Sequence, residues 1–359
     1  MRKNNLEDII VLPHFQLARL KNYPDYYDLF IEKVTTSIEQ YYDEITPDFA
    51  RNLLNIEIQG RDPNGFFTMG KDIWVAISND DNRIIGFEVI TRKRGGSIKL
   101  GPTYMEKDIR NHGYASEMID GLIEGYKSCG FRKIYVTAPL SHKSTAVLDY
   151  CKLKFKLEAI LCKHYAVNSS DRVCGLVFDN TTPDNSLRLR IDSGERLITQ
   201  YSRDIEKSID VAAFSTFIIQ NMKDYFSEID ENFIKSILNG IQTGIHNQYE
   251  RKGKCVILGW HNEQLVATVV ATKKRGGVLK IVPFLIEDEY VNRINVSRIL
   301  KEIDKVAKEN FRRKITIFVP VTDISVSNLI SENGYVAEGI LREPYKREID
   351  VIVFSKFIQ

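Results

Sequence analysis

Thr91-Arg-Lys-Arg-Gly-Gly96 returns as Thr272-Lys-Lys-Arg-Gly-Gly277, at an offset of 181 residues. At that offset Lys99 meets Lys280, Pro102 meets Pro283 and Glu106 meets Glu287. Arg132-Lys-Ile134 meets Arg313-Lys-Ile315, and Pro139 meets Pro320. With small slips, Tyr41-Tyr-Asp-Glu-Ile45 resembles Tyr225-Phe-Ser-Glu-Ile229, and Glu158-Ala-Ile160 resembles Glu338-Gly-Ile340. A register held through so many segments marks an internal duplication. The 359 residues suit two domains. The polar stretch Asn180-Thr-Thr-Pro-Asp-Asn-Ser186 reads as a linker between copies at 1–180 and 187–359.

Composition narrows the function classes. Fifty basic and 48 acidic residues leave a net charge of +2. That balance makes no long-range field for nucleic acid or an anionic membrane, so neither is expected as a partner. The basic turns Arg92–Arg94 and Lys273–Arg275 read as solvated hairpin turns. Five cysteines, an odd number with no CxxC pair, suggest neither a disulfide framework nor a zinc site, and no metal is expected. Ile9-Ile-Val-Leu12 is too short for a signal-peptide core, and no apolar run approaches a membrane span. The cytoplasm is the expected compartment.

Within the first copy, residues 15–21 read as a strand, and residues 25–42 have helical spacing through Tyr26, Leu29, Phe30, Val34 and Ile38. Thr46-Pro47-Asp48 opens a second helix. Strands follow at 73–77, 84–91 and 97–105, then a helix at 115–128 that buries Met118, Ile119, Leu122, Ile123 and Tyr126. A strand at 133–138, a helix at 145–153 and strands at 158–167 and 172–178 close the unit. The fold class expected is α/β with a mixed sheet and helices on both faces. A dinucleotide-binding Rossmann fold is excluded, because GxGxxG and an early parallel βαβ unit are both missing.

Between the third of the antiparallel strands and the helix lies Glu106-Lys-Asp-Ile-Arg-Asn-His-Gly-Tyr-Ala-Ser116. Here a strand's carboxyl end feeds a helix N-terminus through a turn holding Arg110, Gly113 and Ala115. Unpaired amides of a first helical turn, with the helix dipole behind them, make a phosphate cradle. Gly113 permits close approach of the backbone.

This turn resembles the signature Arg/Gln-x-x-Gly-x-Gly/Ala of the GNAT superfamily of acyl-CoA N-acyltransferases. Downstream, Ala146-Val-Leu-Asp-Tyr150-Cys-Lys-Leu-Lys-Phe155 is similar to a second family element, with Lys154 where the family usually has Gly. The order of elements is the family's order as well. The resemblance implies a tandem GNAT fold of two similar domains. It also implies transfer of an acetyl or other acyl group from acetyl-CoA to a primary amine of a small molecule or peptide. Coenzyme A would lie against Tyr104, Met105, Glu106, Arg110, Asn111, His112, Gly113, Tyr114, Ala115 and Ser116. Tyr150 matches the acid that protonates the leaving thiolate.

The proton acceptor is open. An amine of pKa near 10 is depleted about a thousandfold in its neutral form near pH 7, at a cost of about 4 kcal/mol. Some family members carry a Glu eleven residues before the motif Arg, where this chain has Lys99. Lys99, if it faces the cleft, would recognise an anionic group of the substrate. Glu88, Glu106 and His142 are substitute bases, and His142 could instead touch the substrate.

In the second copy Arg110, Gly113 and Ala115 become Val291, Ile294 and Val296. Bulky Ile294 and Val296 are expected to bar a diphosphate, leaving this copy with a structural or acceptor-site role. Two other readings stand beside this one: an aminoacyl-tRNA-dependent transferase, and a non-catalytic CoA-binding scaffold. The tandem chain would act as a monomer or homodimer.

Overall fold

The computed structural model describes residues 7–39, 41–43, 45–62, 67–140, 154–178, 198–202, 210–242 and 253–358. The chain divides into two compact units: Met1–Glu158 with Ala166–Asn180, and Ala159–Tyr165 with Thr181–Gln359.

The first unit opens with β1 (Ile9–Val11) and β2 (Phe15–Arg19), then α1 (Tyr27–Ile38) and α2 (Pro47–Gln59). Strands β3 (Thr68–Ser78), β4 (Ile84–Lys93) and β5 (Ser97–Met105) form an antiparallel run. Helix α3 (Tyr114–Ser128), β6 (Lys133–Pro139) and β8 (Ser169–Val177) follow, and β7 (Lys156–Ala166) lies between β6 and β8 in the chain with its Ala159–Tyr165 stretch counted in the second unit. The sheet order is β1-β2-β3-β4-β5-β6-β8, and among the described residues of this run β5–β6 is the parallel pair and the others are antiparallel. The fold is thus the mixed α/β class that the sequence pattern implies.

Several boundaries differ from the sequence reading. Strand β2 ends at Arg19, where two short 3-10 turns, Leu20–Asn22 and Pro24–Tyr26, take over, and α1 starts at Tyr27. Strand β3 begins five residues before Ile73. Ile9–Val11, read only as an apolar stretch, pairs with β2 as a short edge strand. The expected helix at 145–153 and the expected linker at 180–186 lie outside the described residues.

Two packed layers flank the sheet because its strands alternate. On one face Phe87 of β4 meets Phe30 of α1 edge-on at 5.5 Å. On the other, Trp74 of β3 donates to the Tyr126 hydroxyl of α3 at 3.2 Å. Met118, Ile119, Leu122 and Ile123 share that core with Ile98, Leu100 and Ile134. Beside it runs a buried polar network. Arg19 donates to Glu57 at 2.9 Å and to Asp72 at 2.8 Å, and the Tyr126 hydroxyl donates to Asp72 at 2.6 Å. Burial pushes the Glu57 carboxyl up to about 7, and Arg19 beside it opposes that shift.

The turn after β4 is not the solvated basic hairpin expected. Arg94 is buried, the Arg92 guanidinium donates to Gly60 O at 2.8 Å, and Lys93 Nζ donates to Thr68 Oγ1 at 2.8 Å. The charged ends of Arg92 and Lys93 thus meet fixed acceptors.

The second unit holds β9 (Ile198–Ser202), α4 (Val211–Met222), α5 (Glu231–Gln242), β10 (Lys254–His261), β11 (Gln264–Lys274) and β12 (Val278–Ile286). Helix α6 (Arg293–Glu309), β13 (Lys314–Pro320), α7 (Ile324–Glu332), β14 (Val336–Lys346) and β15 (Ile349–Phe357) complete it. Its strand order is β14-β15-β13-β12-β11-β10-β9, with β12–β13 parallel. Its core gathers Ile257, Val269, Ile281, Ile299, Ile303 and Ile317. Among the described residues no helix is long and apolar enough to cross a membrane.

Candidate functional site

The geometry turns on β5. Its parallel register with β6 joins Ser97, Ile98, Lys99 and Leu100 to Lys133, Ile134, Tyr135 and Val136, and stops there. Beyond Leu100 the strand runs on to Met105, while β6 continues along β8 to Pro139. A gap therefore opens between two parallel strands at their carboxyl ends.

The cause lies on the far side of β5. Its register with β4 passes from Ile90–Leu100 to Glu88–Thr103, so Gly101 and Pro102 stand against Val89 alone. Extra residues on one strand bend it and raise its twist. Gly101 has φ +106°, a region open mainly to glycine. Pro102 has no amide hydrogen to give a ladder.

The Gly101 amide is met by a side chain. It donates to Glu88 Oε1 at 2.8 Å. Glu88 is fully buried, and its Oε2 has no hydrogen-bond partner among the described residues. Burial pushes this carboxyl up to about 8, against the opposing pull of the Thr103 side chain and the Gly101 amide.

At the end of β5 the chain reaches the turn before α3. Ile109 packs into the core and fixes the turn's base. Asn111 and Gly113 take left-handed conformations, φ +70° and +86°. Gly113 is the residue before α3, and no side chain caps the helix. The Ser116 and Glu117 amides both donate to Gly113 O at 3.0 Å. The amides of Asn111, Gly113, Tyr114 and Ala115 have no backbone acceptor among the described residues, while the His112 amide closes the turn over Asn111. A Cβ on Gly113 would meet nothing within 4 Å, so open space faces the turn. The exposed Arg110 bonds Met105 O at 2.9 Å and lies 5.9 Å from the Tyr104 ring centre. These residues fit a diphosphate: free donors, a helix dipole, a guanidinium and an unobstructed backbone.

The expected cofactor residues Tyr104 to Glu106 and Arg110 to Ser116 lie along the end of β5 and the turn before α3, with Met105 buried in the core and Arg110 to Gly113 exposed. Tyr104 pairs across the strands with Phe87, and burial, with the Glu106 carboxylate beside it, pushes its phenol up to about 12. Lys99 lies inside the paired part of the ladder, opposite Tyr135 and Thr91, two residues before Gly101. Tyr150 and His142 lie outside the described residues. No group of three His, Cys, Asp or Glu that could hold a metal occurs among the described residues.

The second unit closes the same turn from within. Asn292 caps α6, its side chain accepting the Asn295 amide at 2.8 Å, and Asn295 Nδ2 donates to Tyr290 O at 2.9 Å. Val296 does not project into the turn as expected. It packs in the core with Val291, while Ile294 is exposed. The sequence reading missed the cap, although Asn292 stands three residues before the amide it satisfies. Lys280, at the position of Lys99, points its amine at the Tyr345 hydroxyl at 3.1 Å and over the Phe318 ring at 4.2 Å.

No protein-family model and no curated protein matches this sequence. Solved structures do. An acetyltransferase of the GNAT family from Bacillus anthracis is 17% identical over 47% of this chain and 98% of its own, with TM-score 0.37. An acetyl transferase from Salmonella typhimurium, which modifies the N-terminal serine of ribosomal protein L7/L12, is 13% identical over 48% and 99%, with TM-score 0.38. A GNAT family acetyltransferase from Elizabethkingia anophelis with acetyl-CoA bound is 15% identical over 30% and 76%, with TM-score 0.28. Each likeness covers less than half of this chain.

Proposed function

We propose that the first unit is a GNAT-type acyltransferase working in the cytoplasm. It moves an acetyl or other acyl group from acetyl-CoA to a primary amine of a small molecule or peptide. The second unit, on this reading, is a duplicated copy that lost the cofactor site and kept a structural or acceptor-site role. One observation carries this reading: the amides of Asn111, Gly113, Tyr114 and Ala115, without backbone acceptors among the described residues, gather at the end of the strand that parts from its parallel neighbour.

Acetyl-CoA, when bound, supplies a thioester open to direct attack by an amine. The amides of Asn111, Gly113, Tyr114 and Ala115 would hold its diphosphate, with Arg110 adding charge at the rim. The polar backbone of β5 beyond Leu100, free of β6, can bond an extended arm as an added strand would. Anchoring at both places makes the encounter with the amine effectively unimolecular. Tyr150, by its match to the family element, would protonate the departing sulfur.

The test is incubation of the full chain with acetyl-CoA and an amine library, following free thiol. Amine-dependent thiol release is expected. A chain that binds no coenzyme A would contradict the reading.

A further inference from the structure

Glu88 has a control inside the same molecule. At the 181-residue offset its place is taken by Val269, and those of Gly101 and Thr103 by Val282 and Phe284. The second unit makes the same irregularity there. Its β11–β12 register passes from Ala271–Ile281 to Val269–Phe284, leaving Val282 and Pro283 unpaired against Val270. Val269 and Val282 are buried, and no carboxyl takes part. The bend of the strand therefore does not require an acid at this position.

An ionisable group buried without need is a cost to stability, because the apolar interior disfavours its charge. Glu88 is retained in the unit whose turn is open and absent from the unit whose turn is capped. It stands directly behind the peptide where β5 leaves β6. Thr103, half-buried, stands directly opposite it on β5 and shares its face of the sheet. No charged or titratable side chain acts on Glu88 from β3, β4, β5 or α3; only the Thr103 side chain and the Gly101 amide do.

We propose that Glu88 takes the proton of the acceptor ammonium, passed along the Thr103 hydroxyl, and so prepares the amine for acyl transfer. This rests on the acyltransferase reading above. The carboxylate accepts one N–H proton, and the freed nitrogen lone pair forms the bond to the acyl carbon. The carbon–sulfur bond breaks with its electrons on sulfur, and the second nitrogen proton passes to that sulfur. An amide and a free thiol result, and Glu88 returns its proton to water. A carboxyl titrating near 8 is a better match to an ammonium than an ordinary glutamate.

Three measurements on the full chain test this. Infrared difference spectra without ligand should show a protonated carboxyl lost between pH 7 and 9, and Glu88→Gln should remove that signal. Calorimetry with coenzyme A should give the same affinity, within about twofold, for the natural chain and E88Q. Acetyl transfer from acetyl-CoA to an equimolar lysine, spermine and Ser-Ala-Gly peptide mixture should fall about a hundredfold or more in E88Q. The natural chain's rate should climb with pH through about 8, and what remains in E88Q should lose that inflection. Thr103→Val should reproduce the loss, and Thr103→Ser should restore activity. Full transfer by E88Q with an unchanged pH profile overturns the role of Glu88 alone. A natural chain that binds no coenzyme A overturns the parent reading, and this role falls with it.

Discussion

Glu88→Gln should make the first unit more stable, and by an amount that grows with pH. The carboxyl titrates near 8 in the folded chain against 4.5 for an ordinary glutamate. Because the folded value is raised, its contribution is complete below about pH 4.5 and is lost as pH rises toward 8. The gap of roughly 3.5 pH units, at about 1.36 kcal/mol each, bounds the loss at about 5 kcal/mol. Glutamine keeps the oxygen that accepts from Gly101 and cannot ionise, so it escapes this loss. For a unit of this size about 1 kcal/mol moves the midpoint by some 2–4 °C, so E88Q should melt about 10 °C or more above the natural chain at pH 9. Near pH 4.5 the two should coincide. Paired calorimetric scans at pH 4.5, 6, 7.5 and 9 give the answer. A difference that does not change across that range would refute the buried, high-titrating carboxyl.

Other parts of the structure give shorter expectations. Tyr126→Phe leaves Asp72 short of its 2.6 Å hydrogen bond and Trp74 without its acceptor, which should cost about 1–3 kcal/mol in urea titrations. Phe311 is 91% exposed at φ +52°, in the turn that ends α6, so Phe311→Gly should raise the second unit's stability by about 1 kcal/mol in the same titrations.

Much of this was legible in the sequence because it is local. The α3 stripe of Met118, Ile119, Leu122 and Ile123 repeats with the helix, and its core position follows. The turn around Gly113 announces itself by residue type and by its place between strand and helix. The edge strand Ile9–Val11 did not, because three residues carry no period and only pairing with β2 defines them. Arg94 differs for a related reason: a charged residue in a glycine turn signals solvent, and its burial is set by the tertiary fold rather than by local residue type. Glu88 did leave a trace. It interrupts the apolar run Ile84-Ile-Gly-Phe-Glu-Val-Ile90, which reads as a strand buried on both faces. The Gly101-Pro102 pair that creates its hydrogen-bond donor likewise breaks a strand pattern. What no spacing could reveal was that these two signals, thirteen residues apart, answer each other across the ladder.

Titration calorimetry of coenzyme A into the full chain, natural and Gly113→Glu, is the most direct test of the cradle. Nothing lies within 4 Å of where the new Cβ would sit, but φ +86° strains any side chain there, so Gly113→Ala, with the same strain and no charge, is the control for the carboxylate set against the diphosphate. One site per chain in the natural protein, abolished in G113E but not in G113A while the circular dichroism stays unchanged, is the predicted result. Equal affinity in the natural chain and G113E would contradict it.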